Sequence, residues 1–234
     1  MVREERDGEK PSDFMTAMIN SIHQSHLNMA FRCGEQFRRR YLEGEKIPPG
    51  IAAGRGTGVH TANRVNLLQK IRTKIDLSLS DIKDATRDGY VKAFEDGVYL
   101  TREEVPHKDR LINEGLQDAL VCAEVYSVEV APKIDPASIE EPFLIDIGLP
   151  LPLGGTMDME AQNKIDDLKT SSKKWPDNKI MEEIQPTFYS FVHEKRTGTR
   201  PDFFYHILIS RRGKEDGRLT SSDYQIQSYK AEDR

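Results

Sequence analysis

Between residues 130 and 139 the spacing of apolar positions changes period, and that change limits the fold more than any other feature of the chain. Upstream, apolar residues recur every three or four positions. Ala30, Cys33, Phe37 and Tyr41 predict a helix over residues 25–42. A second helix is expected over about 57–74. A third follows an N-cap at Ser80, carries Ile82, Ala85, Tyr90, Ala93 and Phe94 inward, and stops at Gly97. A fourth, over about 106–127, has Pro106 in its first turn and Ile112, Leu116, Ala119, Leu120 and Ala123 on one face. Downstream, residues 139–149, 155–161 and 164–170 read as extended. A helix over 179–196, built on Ile180, Ile184, Phe188, Phe191 and Val192, ends at Gly198. Residues 203–210 are apolar on both faces and predict an internal strand.

Helices, three strands, a helix and a strand predict an α/β fold. The expectation is a single domain with a mixed central β-sheet flanked by helices and an N-terminal helical layer. The helical part would cover about 25–130 and the sheet about 139–212, within a domain of residues 14–234. Residues 1–13 are charged and lack the apolar core of a secretory signal, so they read as a flexible tail.

No apolar run approaches the roughly 18 residues of a membrane span. Cys33 and Cys122 are the only cysteines, too few for a disulfide framework, which predicts a reducing, cytoplasmic setting. The formal charge of -5 argues at first against a nucleic-acid partner, but it is unevenly spread. Residues 29–74 hold 10 basic and 3 acidic side chains, a net of +7, and residues 81–129 hold 6 basic and 12 acidic, a net of −6. Phosphate binding needs only a local basic face.

The segment from Gly155 to Thr170 carries the chemistry. A hairpin turning at Gln162-Asn163 pairs positions whose numbers sum to 325, which sets Asp158 opposite Asp167. Opposed residues share a face, as do residues two apart, so Asp158, Asp167 and Lys169 project to one side and Asp166 to the other. Facing carboxylates repel unless a cation lies between them. Their oxygens suit hard ions such as Mg²⁺ or Mn²⁺. A lysine beside that ion could hold a water or a phosphate oxygen, the arrangement of metal-assisted phosphodiester hydrolysis. Gln-Asn is not a favoured two-residue turn, and a surface hairpin with ordinary charges is the competing reading.

Three further segments accompany the hairpin: the helix Leu27-Asn-Met-Ala-Phe-Arg-Cys-Gly-Glu-Gln-Phe-Arg-Arg-Arg-Tyr41, the run Gly54-Arg-Gly-Thr-Gly-Val-His60, and Gln185-Pro-Thr-Phe-Tyr189. Together with Gly155-Thr-Met-Asp158 and Asp167-Leu-Lys-Thr170, in this order, they resemble a RecB-like nuclease of the PD-(D/E)xK superfamily, with its restriction-endonuclease-like core. Ile139-Glu140, ahead of Phe143, is also similar. The resemblance spans about residues 25–210.

The resemblance implies a metal-dependent deoxyribonuclease, more in keeping with an exonuclease than an endonuclease, acting in recombination, repair or phage replication. A non-catalytic DNA-end binder in a larger recombination or replication complex is the alternative from another class. His60, Asp158 and Asp167 would ligate Mg²⁺ or Mn²⁺, with the Leu168 carbonyl a further ligand. Lys169 would position or activate water, and Gln185 and Tyr189 would lie near the DNA strand. Many such relatives hold an iron–sulfur cluster on one cysteine in the first helix and three near the C-terminus. Here no cysteine follows Asp158, so no cluster is expected. The glycines before His60 suggest a backbone approach to the site or to a phosphate, though the run lacks the Lys-Ser/Thr ending of a nucleotide-binding P-loop. Arg55, Arg64, Lys173 and Lys174, with one or two of Arg38, Arg39 and Arg40, are the expected DNA contacts. The acidic 81–129 segment is expected to face away from the DNA or to guide it by repulsion.

Overall fold

The computed structural model describes residues 19–135, 137–213 and 217–233. The expected tail, residues 1–13, lies outside them. The chain forms two compact units, the smaller from residues up to Lys46 with Pro142–Thr156, the larger from Ile47–Glu141 with Met157 onward.

In the smaller unit the first helix is interrupted rather than continuous. Helix α1 spans Gln24–Arg32 and a short α2 spans Gly34–Phe37, followed by a π-turn over Arg38–Leu42. Cys33 between them is extended, at φ -162° and ψ 105°, so the apolar spacing across it does not reflect one helix axis. His26, Phe37 and Tyr41 cluster, with the His26 and Tyr41 rings 4.2 Å apart. Ile22 bridges to Leu153, its N–H donating to the Pro152 carbonyl at 2.8 Å. Three of the basic residues here are already engaged. Arg38 and Arg39 both bind Glu35, and Arg40 lies over the Tyr41 ring.

The larger unit is organised around helix α3, Ile51–Thr73. It begins six residues before the expected start, so Gly54, Gly56 and Gly58 are helical and do not form a loop. Gly54 and Gly58 serve close packing on α4, Leu79–Lys92, and on Phe94 just after it; α4 is capped by Ser78 rather than Ser80. A Cβ on Gly54 would stand 2.2 Å from the Phe94 ring, and one on Gly58 would stand 2.7 Å from the Thr86 carbonyl oxygen. The reciprocal glycine, Gly89, leaves room for Thr61. Two backbones brought this close offset the helix-propensity cost of glycine, about 1 kcal/mol each.

Because α3 is enclosed on more than one face, polar residues lie inside it. Asn66 bonds Asp76, Tyr126 and the Leu77 N–H, and Lys70 bonds Asp76 and the Ala131 carbonyl. Helix α5 spans Lys108–Val125 and runs on through a π-turn to Val130. Val59, Ala62, Leu67, Ile82, Tyr126 and Leu168 belong to the principal core.

The sheet has five strands in the order β1-β2-β3-β4-β5. These are β1 Ser138–Ile145, β2 Leu153–Ala161, β3 Lys164–Ser171, β4 Asp202–Arg212 and β5 Leu219–Tyr229. β2 and β3 form the two-residue hairpin at the predicted register, Met159 opposite Asp166 and Ala161 opposite Lys164. β3 and β4 are parallel, Asp167 beside Tyr205, joined through α6, Lys179–Glu182, and α7, Ile184–Thr197. The single helix expected there breaks at the extended Glu183. The sheet is therefore mixed and the α/β class holds. β5, antiparallel to β4, is a strand that the apolar spacing did not reveal. Among the described residues no helix is long and apolar enough to cross a membrane, and both cysteines are free.

Candidate active site

The strand ladder between β2 and β3 stops at Met159 and Asp166. Two residues beyond Asp166, the Leu168 N–H donates to Asp158 Oδ2 at 3.1 Å instead of to a backbone carbonyl. The side chain of Asp158 thus replaces a rung of the ladder and is fixed beside Asp167 on the next strand.

Asp167 is 1% exposed. Its Oδ1 accepts from Gln185 Nε2 at 2.6 Å, and Gln185 Oε1 accepts in turn from the Tyr205 hydroxyl at 3.0 Å. Its Oδ2 lies 2.5 Å from Lys169 Nζ. That contact is a close ion pair, and Lys169 is the partner of this oxygen. Lys169 Nζ also sits 5.2 Å from the Tyr205 ring centroid. On the other side His60 Nδ1, from the middle of α3, lies 3.3 Å from Asp158 Oδ2. Six residues named from the sequence, His60, Asp158, Asp167, Lys169, Gln185 and Tyr189, therefore meet in one place, with Asp166 turned to His206 and Lys164.

The electrostatics follow from this crowding. Burial, and then the Asp158 carboxylate, push the Asp167 carboxyl up to about 6, against the pull of Lys169. Burial opposes charge on Lys169, but Asp167 and Asp158 outweigh it and hold the ammonium above its ordinary range. Burial and the two aspartates raise the Tyr189 hydroxyl, which hydrogen-bonds with Gln185 and stays a neutral group.

Two residues of the set were not given roles by sequence reasoning. Glu140 is held by Arg64, Oε2 to Nε 3.0 Å, and its carboxyl is raised by burial and by Asp158. Its φ of 47° is a left-handed conformation uncommon for a residue with a side chain. Tyr205 was countable only as an apolar strand position, and its neighbour Asp167 comes from a parallel pairing that no local spacing announces.

The donor set suits a hard cation in composition. Two carboxylates stand side by side, and burial and then the Asp158 charge raise the proton affinity of Asp167, so a hard cation between them would relieve their repulsion. Among the described residues, however, no three His, Cys, Asp or Glu side chains are gathered as a ligand cage. His60 is turned onto Asp158, and Asp167 onto Lys169 and Gln185.

The expected DNA contacts are corrected in part. Arg55 is only 9% exposed, and its Nη1 donates to Ser210 at 3.4 Å inside the protein, so it is not a surface cation. A charge count cannot separate it from Arg64, which is exposed and bound to Glu140. Lys173 is exposed, and Lys174 pairs with Asp223 at 3.3 Å. Within the basic stretch, Lys70 is interior like Arg55 and Lys74 is paired with Asp135, so the excess of positive charge is smaller at the surface than in the sequence. Of the glycines before His60, Gly54 and Gly58 pack on α4 and Phe94, whereas Gly56 faces Thr170 of β3, where a Cβ would stand 3.8 Å from its hydroxyl, and lines the cleft beside His60.

No family model and no curated protein matches the chain. Among solved structures it is similar to a protein of Eubacterium rectale provisionally named an exonuclease, with a TM-score of 0.56 and 13% identity, over 95% of this chain and 78% of that one. At that identity the likeness is one of fold.

Proposed function

We propose that this protein is a divalent-metal-dependent DNA nuclease of the RecB-like PD-(D/E)xK type, and an exonuclease in preference to an endonuclease. The observation that carries the reading is the placement of Lys169 against Asp167, with Asp158 fixed across the diverging strands by the Leu168 N–H. The fold likeness to a protein provisionally named an exonuclease supports it, as does the order of the four sequence segments.

Asp158 and Asp167 would hold Mg²⁺ or Mn²⁺, with His60 and the Leu168 carbonyl as further ligands. The cation would supply Lewis-acid charge to a phosphodiester and lower the pKa of a bound water. Lys169, which lies against Asp167 Oδ2, would hold that water or a phosphate oxygen. Gln185 keeps Asp167 Oδ1 in position, and Tyr205 and Tyr189 keep Gln185 in position. DNA is the proposed partner, in the setting of recombination or replication.

The test uses end-labelled linear DNA and closed circular DNA with Mg²⁺ or Mn²⁺, and the same mixtures in EDTA. Linear DNA is expected to be degraded from its ends, circles to survive, and EDTA to stop the reaction. Lys169→Ala should abolish cleavage while DNA binding persists. Cleavage in EDTA, or wild-type rates from Lys169→Ala, would refute the mechanism. Cutting of closed circles would make the protein an endonuclease.

A further inference from the structure

A cleft of about 660 Å³ is lined by His60 together with Ala53, Gly56 and Thr57 of α3, and by Arg64, Lys92 and Glu140. Resting on the nuclease reading, we propose that this cleft is a subsite for one single strand of the substrate, in which Lys92 contacts a backbone phosphate one or two nucleotides from the scissile bond.

Three observations converge. First, the cleft shares His60 with the candidate active site, since that side chain lies 3.3 Å from Asp158. Second, the α3 face lining it recurs at positions 53, 56, 57, 60, 61 and 64, one side of a helix, and is built of small side chains up to His60. Large side chains there would fill the space. Third, its two permanent cations differ. Arg64 is already bound to Glu140 at 3.0 Å, whereas Lys92 makes no ion pair among the described residues. Lys92 also comes from the net-acidic segment that the sequence suggested would face away from DNA.

Glu140 opposes an anion near His60 and Arg64, which leaves Lys92 as the favoured phosphate contact. A volume in the range of small-ligand sites, roughly 300–1,000 Å³, has room for one or two nucleotides of one strand. A competing role for Lys92 is purely local, because it is the last residue of α4 and complements the helix dipole. In that case its removal would leave DNA binding unchanged.

The experiment separates this proposal from the reading it rests on. Mn²⁺-dependent cleavage of a linear oligonucleotide by the wild-type protein tests the nuclease reading alone. The subsite is tested by binding, in a Lys169→Ala background, with fluorescein-labelled dT10 and a 10-base-pair duplex as probes, by anisotropy over a salt series. Lys92→Glu should weaken dT10 binding about tenfold at low salt and lower the log–log salt slope by about 0.7 for the lost contact. Ala53→Trp, which fills the cleft without removing a charge, should weaken dT10 binding with the slope kept. Unchanged thermal melting shows that each variant is folded. Parental affinity in both variants, with wild-type cleavage intact, would overturn the subsite and leave the nuclease standing. Duplex binding as tight as dT10 would overturn the single-strand assignment.

Discussion

Replacing Asp167 with asparagine should make the metal-free protein more stable relative to wild type as pH rises, although it destroys the site. In the fold the Asp167 carboxyl is raised to about 6 from an ordinary 3.8, first by burial and then by Asp158. The native state therefore holds this proton more tightly than the unfolded chain. The Asp167 contribution to wild-type stability must therefore fall as pH climbs from about 3.8 to about 6, and level off above. The gap between 3.8 and about 6 corresponds to about 3 kcal/mol in full, of which about 2 kcal/mol is expressed between pH 4 and pH 7.5. An asparagine side chain cannot titrate, so the variant lacks this penalty. It also loses the 2.5 Å contact to Lys169, but Lys169 is raised and stays charged throughout this window, so that loss is a constant offset. The diagnostic quantity is thus the slope of the difference. Urea unfolding of both proteins in EDTA, from pH 4 to pH 7.5, should show the variant gaining about 2 kcal/mol on wild type. A difference that stays flat or falls would mean that Asp167 is an ordinary carboxylate, whose proton affinity burial and Asp158 do not raise.

Gln185 touches Asp167 rather than facing outward, so Gln185→Leu should lower kcat by up to about 100-fold and leave the Kd for DNA unchanged. A weaker Kd with normal kcat would restore it as a DNA contact. Arg55→Ala should cost about 2 kcal/mol of stability, through lost packing of a buried stem, and leave the salt slope of DNA binding unaltered; a shallower slope would contradict its placement against Ser210. Gly58→Ala should destabilise by about 1–3 kcal/mol, since its Cβ would meet the Thr86 carbonyl. Gly56→Ala, with only Thr170 Oγ1 at 3.8 Å, should gain about 0.5–1 kcal/mol in thermal or urea unfolding; equal effects at the two positions would undo the packing account of α3.

What was legible in the sequence, and what was not, divides by the range of the interaction involved. The hairpin register was legible because a two-residue turn leaves one pairing, and that pairing alone brings Asp158 to Asp167. What was not legible there is that the ladder ends at Met159, since that depends on the Asp158 carboxylate capturing the Leu168 N–H. The glycines around Arg55 read as a loop because their solitary effect is to disfavour helix. The spacing of four between Gly54 and Gly58 gains meaning only when Phe94 and Thr86 are placed opposite them. β5 was missed because its Thr-Ser-Ser-Asp run is polar on both faces, as an edge strand can be when only one side is paired. Arg55 and Arg64 are nine residues apart on one helix and identical to a charge count. The helix rotates by about 100° per residue, so nine residues turn one side chain to the side opposite the other. One points to Ser210 and the interior and the other to Glu140 and the cleft. The same rotation brings His60 and Arg64, four residues apart, to one face, so the candidate ligand and the exposed cation lie together. A helix that is polar all round can therefore serve a core and a site at once, and only the partners across each face tell which residue serves which.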